Sequence, residues 1–256
     1  MQTFNNILTG PFIKTGYENF DSYFLSKADE EDFNTKSRAF KKSNTPWIYF
    51  EKKIHYKCNS QGYRTKEWAD IDWANSIVLH GCSYAFGEGL AEEDTISTQL
   101  SNITGKYVVN LGIPGSGIGA NVHNTIMLCK QLPTPYAVVQ LWSHIIRTEI
   151  YMPDGVWFCH PGQFLKTNAE GIPSACYKYY KNWLRYDENP QTHNSFHVEA
   201  SRLIWQPRTR YYELTMFYDN MLDCDYIQII DRARDLSHPG IKTAKLVAEH
   251  IAAHIS

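Results

Sequence analysis

Three short apolar runs limit the folds open to this chain more than any other feature. SIVLHG at 76–81, YVVNLG at 107–112 and AVVQLW at 137–142 carry little polar alternation. A strand covered on both faces, as in a parallel sheet, has this composition. Between the first two runs lies a segment, 95–104, in which Leu100 and Ile103 make an apolar face. Asp94 or Thr95 is placed to cap it as a helix. A glycine-rich turn and a second helical segment, 121–132, separate the second and third runs. Strand, helix, strand, helix, strand at this spacing predicts a parallel sheet with right-handed crossovers and helices on both faces. A last clear strand, YIQII at 226–230, precedes an amphipathic helix over 242–255. Ala244, Val247, Ala248, Ile251 and Ile255 fall on one side of that helix.

The remainder is less periodic. Residues 1–75 read as an N-terminal extension packed on a main domain over 76–256. One helix is expected around Phe20 to Phe33, and short strands around a turn at Ser60-Gln61-Gly62. Residues 145–222 read as an insertion crowded with Tyr151, Trp157, Tyr177, Tyr179, Tyr180, Trp183, Tyr186, Trp205, Tyr211, Tyr212 and Tyr218. Helices near 174–187 and 195–222, broken near Pro207, are expected there. Such aromatics can form a lid or a sugar-stacking platform, and more often form core under a long insertion.

Bulk properties narrow the function classes. At 256 residues the chain suffices for one large α/β domain or two small ones. A formal net charge of -2 gives no electrostatic footprint for nucleic acid or a membrane surface. No apolar run reaches the 18 or so residues of a membrane span. The N-terminus lacks a charged n-region and a long apolar h-region, so no signal peptide is read and a cytoplasmic location is expected. The six cysteines show no C-x-x-C spacing and read as free thiols of a reducing compartment.

In an open parallel sheet, sites form at the carboxyl ends of the strands. Ser83 follows the first run. Asn110, Gly112, Gly115 and Gly117 follow the second, and Ser143 and His144 the third. Asp231, Asp235 and His238, in DRARDLSHPG, follow the last. One rim would thus hold a hydroxyl, a histidine, a carboxylate and backbone N–H donors. Acyl transfer needs an attacking oxygen, a general base, a group that orients the base and donors for an oxyanion.

These residues resemble the SGNH/GDSL hydrolases. Gly81-Cys82-Ser83-Tyr84-Ala85-Phe86-Gly87 is similar to the first block of that family. Val109-Asn110-Leu111-Gly112-Ile113-Pro114-Gly115 is similar to the second, and Asp235-Leu236-Ser237-His238-Pro239 to the Asp-x-x-His-Pro block before a C-terminal helix. Asn59-Ser60-Gln61-Gly62-Tyr63-Arg64 resembles a stretch upstream of the first block in some members. The resemblance covers roughly residues 59–142 and 226–255. It implies a three-layer α/β/α sandwich with a mostly parallel, flavodoxin-like sheet, and a serine esterase or lipase-like activity that needs no cofactor or metal. Ser83 would be the nucleophile and, through its N–H, an oxyanion donor. His238 would be the general base, Asp235 its orienting carboxylate and Gly115 a second oxyanion donor. The substrate would be a small-molecule ester or an acetylated carbohydrate, with no nucleic-acid partner. The same residues serve acyl transfer onto a sugar hydroxyl, and a non-catalytic binding protein of this fold is the rival reading.

The sequence departs from the family in two blocks. Cys82 stands where the first block has Asp. The third block has Gly-x-Asn-Asp, whereas this chain has Leu141-Trp142-Ser143-His144, which puts His144, with Ser143 beside it, at the oxyanion asparagine. One such donor is worth about 3 to 4 kcal/mol of barrier. The family has five strands and four are placed here, so the remaining one is expected either near Leu203-Ile204-Trp205 or replaced by other structure.

Three other patterns carry less. Cys82 could be a nucleophile, but adjacent side chains point different ways, so only one of Cys82 and Ser83 can face the base. Gly115-Ser116-Gly117-Ile118-Gly119-Ala120 fits a dinucleotide fingerprint, yet the next strand ends without the acidic residue that motif needs. His193 and His197 have the i, i+4 spacing of zinc ligands but no third ligand in view, and read as packed or surface histidines.

Overall fold

The computed structural model describes residues 12–152, 155–159, 174–184, 188–218 and 222–256. The three apolar runs form β3 (Ile77–Gly81), β4 (Val108–Gly112) and β5 (Ala137–Trp142), and every residue in them is buried. With β8 (Arg210–Thr215) and β9 (Asp225–Tyr226) they build a five-stranded sheet in the order β4-β3-β5-β8-β9. Every pairing in it is parallel. Counted along the sheet's own strands the order is 2-1-3-4-5, the flavodoxin-like arrangement expected, with its switch point at β3.

Alternation along the strands feeds two cores. Ile77 and Leu79 of β3 point to a cluster with Ile96 and Leu100 of α3 (Ile96–Thr104) and with Ala244, Val247, Ala248, Ile251 and Ile255 of α7 (Ile241–Ile255). Val78, Val109 and Val138 point to the other face, against Met127 and Leu128 of α4 (Ile118–Gln131) and Trp205 of α6 (Glu188–Trp205). The result is a three-layer α/β/α sandwich, and the face of α7 read from its sequence is the face it buries.

Several elements differ from expectation for physical reasons. The N-terminal helix is α1 (Lys27–Lys42), not 20–33; it starts where Ser26 accepts the Asp29 N–H, and it buries no residue. Two aromatics seven residues apart, Phe33 and Phe40, pack on Trp47, and the Asp29–Arg234 ion pair ties the helix to the loop before α7, so no regular apolar period marks it. The strand expected near Leu203-Ile204-Trp205 is instead the end of α6, and the sheet gains Arg210–Thr215. Of the expected strand at 226–230 only Tyr226 pairs, with Asp225 before it. Beyond it the Ile230 and Asp231 N–H groups turn to the Thr243 hydroxyl of α7 at 3.0 and 3.2 Å.

In the aromatic-rich stretch a hairpin of β6 (Thr148–Met152) and β7 (Gly155–Cys159) precedes α5 (Ser174–Leu184). Trp205 and Tyr180 are core residues, whereas Tyr218 is exposed. Tyr186 lies outside the described residues. Near the N-terminus, β1 (Asp21–Ser22) pairs antiparallel with β2 (Tyr56–Lys57). The turn at Ser60-Gln61-Gly62 closes on a Gly62 N–H to Asn59 carbonyl bond of 2.9 Å. Among the described residues no helix is long and apolar enough to cross a membrane.

Candidate active site

Beyond β3 the chain folds into one helical turn, α2 (Ser83–Phe86), closed by Gly87 in the left-handed region at φ 80°. The turn fits tightly against the end of β4. A Cβ on Gly112 would lie 2.3 Å from the Phe86 nitrogen, so only glycine fits there. Asn110 braces the same turn, donating to the Ala85 carbonyl at 2.8 Å and accepting from the Gly112 N–H at 2.9 Å. Asn110 is therefore a structural residue of the rim. Ser83 is held at the head of α2, where first-turn N–H groups have no intrahelical acceptor.

The loop before α7 brings the other two residues. Ser83 Oγ lies 2.9 Å from His238 Nε2. His238 Nδ1 bonds the Asp235 carboxylate, which also accepts the His238 N–H at 3.0 Å, the Ser237 N–H at 3.1 Å and the Ser237 hydroxyl at 2.9 Å. Leu236 takes φ 59° to make this tight turn, an uncommon conformation for a side chain branched at Cγ. Asp231 accepts the Lys242 and Thr243 N–H groups at 2.9 and 2.8 Å. It caps α7 and leaves Asp235 to the histidine.

Electrostatics sharpen the pair. Burial alone would hold His238 neutral, but the Asp235 bond and the nearby Glu88 carboxylate outweigh it and raise its pKa. Burial likewise opposes the Asp235 charge, and the His238 bond overcomes it, so that carboxyl stays well below the usual range. Glu88 Oε2 lies 3.6 Å from His238 Nε2. Burial pushes the Glu88 carboxyl upward. Glu88, Asp235 and His238 could together grip a metal ion, but only by taking His238 out of its bonds to Ser83 and Asp235.

The remaining rim residues divide. Gly115, at φ 78°, lies in the loop between β4 and α4. Ser143 is fully buried, while His144 is half-buried and meets the Phe217 ring at 5.3 Å. His144 Nδ1 accepts the Ile146 N–H at 3.2 Å, so a neutral His144 carries its proton on Nε2 as a donor. Cys82 is fully buried as the residue before α2, and Ser83 is the one facing His238.

Sequence reasoning missed the charged and aromatic lining. Tyr84 meets His238 edge-on at 5.6 Å and stacks on Phe217 at 4.8 Å. The Arg147 guanidinium lies 5.6 Å over the Phe217 ring and donates to the Ser116 carbonyl at 3.4 Å. Its charge opposes protonation of His238. Glu149 accepts the Gly117 N–H at 2.7 Å and an Ala120 backbone N–H, yet burial still pushes its carboxyl up to about 7. It caps α4 with this chain's own carboxylate, at the place a dinucleotide phosphate would need. His193 and His197 pack ring to ring at 4.4 Å, with Trp183 edge-on to His193 at 5.9 Å.

No family model matches the sequence, and no curated protein matches it. Solved structures do. A G-D-S-L family protein from Desulfitobacterium hafniense DCB-2 is 14% identical over 70% of this chain and 98% of its own, at a TM-score of 0.35. A member of the lipolytic protein G-D-S-L family from Veillonella parvula DSM 2008 is 10% identical over 68% and 94%, at 0.40. A carbohydrate esterase family 2 enzyme with a carbohydrate-binding domain, from Corynascus thermopiles (Myceliophthora fergusii), is 14% identical over 71% and 65%, at 0.36. In structure the chain is similar to SGNH/GDSL proteins. At this identity and these TM-scores the likeness carries no chemistry over; that has to be read from the side chains on the rim.

Proposed function

We propose that the chain is a serine hydrolase acting on an ester or acetyl group. One observation carries the reading: Ser83 Oγ, His238 and Asp235 form a continuous hydrogen-bonded relay at the carboxyl rim of the sheet. A serine hydroxyl is a weak nucleophile at neutral pH and needs such an adjacent base. Ser83 Oγ attacks the carbonyl carbon while its proton passes to His238 Nε2. The carbonyl oxygen becomes an oxyanion, served by the N–H groups of Ser83 and Gly115 and by His144 Nε2–H. Collapse expels the alcohol, which takes the proton from Nε2 and leaves Ser83 acylated. Water then attacks the acyl carbon and gives a proton to Nε2. The second collapse releases the acid and returns that proton to Ser83 Oγ. Asp235 keeps Nδ1–H in place and stabilises the transient imidazolium. An acetylated carbohydrate or another small ester suits this chemistry.

The test pairs turnover with labelling. Wild type should hydrolyse short-chain p-nitrophenyl esters and take up one equivalent of a fluorophosphonate on Ser83. Ser83→Ala should lose the label and lower kcat by a factor on the order of 10³ or more. Turnover kept in Ser83→Ala, or label on another residue, would overturn the reading. A folded wild type that neither turns over nor takes label would put a binding role in its place.

A further inference from the structure

A second cluster of titratable side chains lies along the open edge of the sheet. Asp225 opens the edge strand β9, and His250 and His254 stand one turn apart on α7. His250 is nine residues into α7, so about 14 Å of helix axis separates it from the end that carries His238. Asp225 Oδ2 lies 3.1 Å from His250 Nε2 and 3.9 Å from His254 Nε2. The three ligand atoms all fall within 4.8 Å of one another. The geometry points to a binding site for a divalent transition cation, with zinc the best match, held by Asp225 Oδ2 and Nε2 of both histidines.

Three observations converge on that ion. The first is spacing. Ligands about 2.0 to 2.1 Å from a tetrahedral zinc stand about 3.3 Å apart, so the separations found need only small side-chain adjustments. The second is the outer hydrogen bonding of His254. Its Nδ1 lies 2.8 Å from the His250 carbonyl, which can only accept, so Nδ1 carries the proton. A neutral His254 then aims the bare lone pair of Nε2 at a carboxylate, a repulsive arrangement that a cation between them would reverse. A backbone carbonyl holding the far N–H is the usual support of a metal-ligating histidine. The third is Tyr212. Its hydroxyl donates to Asp225 Oδ2, and its ring stacks on His254 at 4.5 Å and 14°. Both a carboxylate and an imidazole are thereby oriented before any ion arrives. Two imidazoles and one carboxylate suit zinc better than magnesium or calcium, which prefer oxygen ligands. The side chains are one-third to one-half exposed, which leaves an open path for entry. The ion would tie β9, a strand of two residues that among the described residues pairs only with β8, to the C-terminal helix.

The test is titration of chelator-treated, full-length protein with zinc chloride by calorimetry, beside thermal melts with and without the metal. Wild type should bind one zinc at this cluster and melt at a higher temperature when loaded. His250→Gln, His254→Ala and Asp225→Asn should each weaken that binding by tenfold or more. Tyr212→Phe, which keeps the ring, should weaken it by about 10- to 100-fold through the lost bond to Asp225. Glu88→Gln should leave zinc affinity unchanged, because the rim trio is a separate cluster. No saturable zinc binding by folded wild type would overturn the proposal. So would undiminished binding in a folded His250→Gln/His254→Ala double variant, or binding lost only in Glu88→Gln.

Discussion

In the proposed mechanism His238 has to be neutral to accept the Ser83 proton, and three neighbours bear on the pH at which it becomes so. Burial favours the neutral ring, while the Asp235 bond and the Glu88 carboxylate favour the charged one and prevail; Arg147 pulls the other way. The net pKa is raised, so kcat/KM should fall on acidification with a midpoint above that of an ordinary histidine. Glu88→Gln removes a charge that favours imidazolium and should move the acid limb to lower pH. Arg147→Ala removes one that opposes it and should move the limb to higher pH. Profiles of kcat/KM for the three proteins check this; limbs that do not part in opposite directions would separate these residues from the titration. The contrast also shows what sequence can reveal at this scale. Ser83, Asp235 and His238 were legible as candidates because Ser83 follows an apolar strand and the Asp-x-x-His-Pro stretch precedes a helix with a clear apolar face. Glu88 sits five residues past Ser83 and looks like any turn carboxylate. Arg147 looks like a loop cation until the fold sets it over Phe217.

Among the elements, the N-terminal segments brace both halves of the rim. Arg64, fully buried, donates to the Phe86, Gly87 and Leu90 carbonyls at 3.3, 2.8 and 3.0 Å, and to Glu92 at 2.7 Å. Tyr56 accepts the Gly89 N–H at 2.9 Å, so the turn after Ser83 is pinned from two sides. On the loop before α7, Arg234 pairs with Asp29 of α1 at 2.8 Å, and Lys36 of α1 donates to the Asp235 carbonyl. Replacing Arg64 by alanine takes a donor from three buried carbonyls, of which the Gly87 carbonyl keeps the Leu90 N–H at 3.1 Å. Arg64→Ala should lower unfolding free energy by about 2 to 6 kcal/mol, at about 1 to 3 kcal/mol for each buried carbonyl left unsatisfied. Urea titration measures it, and a loss under about 1 kcal/mol would mean the carbonyls find other donors. The resemblance of Asn59-Ser60-Gln61-Gly62-Tyr63-Arg64 to an upstream family stretch gave a place for this arginine in the sequence but no role. Only the fold shows its target, because its acceptors are backbone atoms 22 to 26 residues away. The strand β8 was hidden for a related reason. Tyr211 and Glu213 turn one of its faces polar, with the Glu213 carboxylate taking Arg202, Tyr211 and Trp142 as donors, so no apolar run announces it.

For the molecule as a whole, the two layers flanking the sheet are chemically unequal, and acid should find the weaker one. The side facing α3 and α7 is packed with aliphatic residues. The side facing α4 and α6 holds a buried polar layer in which Gln140 donates to Thr125 at 2.7 Å and Ser201 at 3.0 Å. His80 lies in the same sheet, paired across to Gln140, and is fully buried. Among the described residues neither of its ring nitrogens has a hydrogen-bond partner. Burial therefore lowers its pKa from 6.5 to about 3. The sign follows from proton counting. Between pH 6.5 and 3 the unfolded chain binds a proton at His80 that the folded chain refuses, so stability contributed above 6.5 is lost as pH falls toward 3. The full loss is on the order of 5 kcal/mol. His197, lowered by burial to about 4, acts in the same direction. Glu149 acts oppositely: its carboxyl, raised to about 7, contributes stability below its ordinary range that is lost as pH rises through 7. Urea midpoints of wild type and His80→Gln at pH 8, 6, 5 and 4 isolate the histidine, because the other groups are common to both proteins. The variant should be the less pH-sensitive of the two, with the gap opening below pH 6.5 and widening to pH 4. Parallel curves would mean that His80 finds a way to charge in place. Because His80 stands on β3 three residues before Ser83, the strand that leads to the proposed nucleophile should be among the first parts of the molecule to loosen in acid, and amide exchange along 77–81 should quicken there before it does along α7.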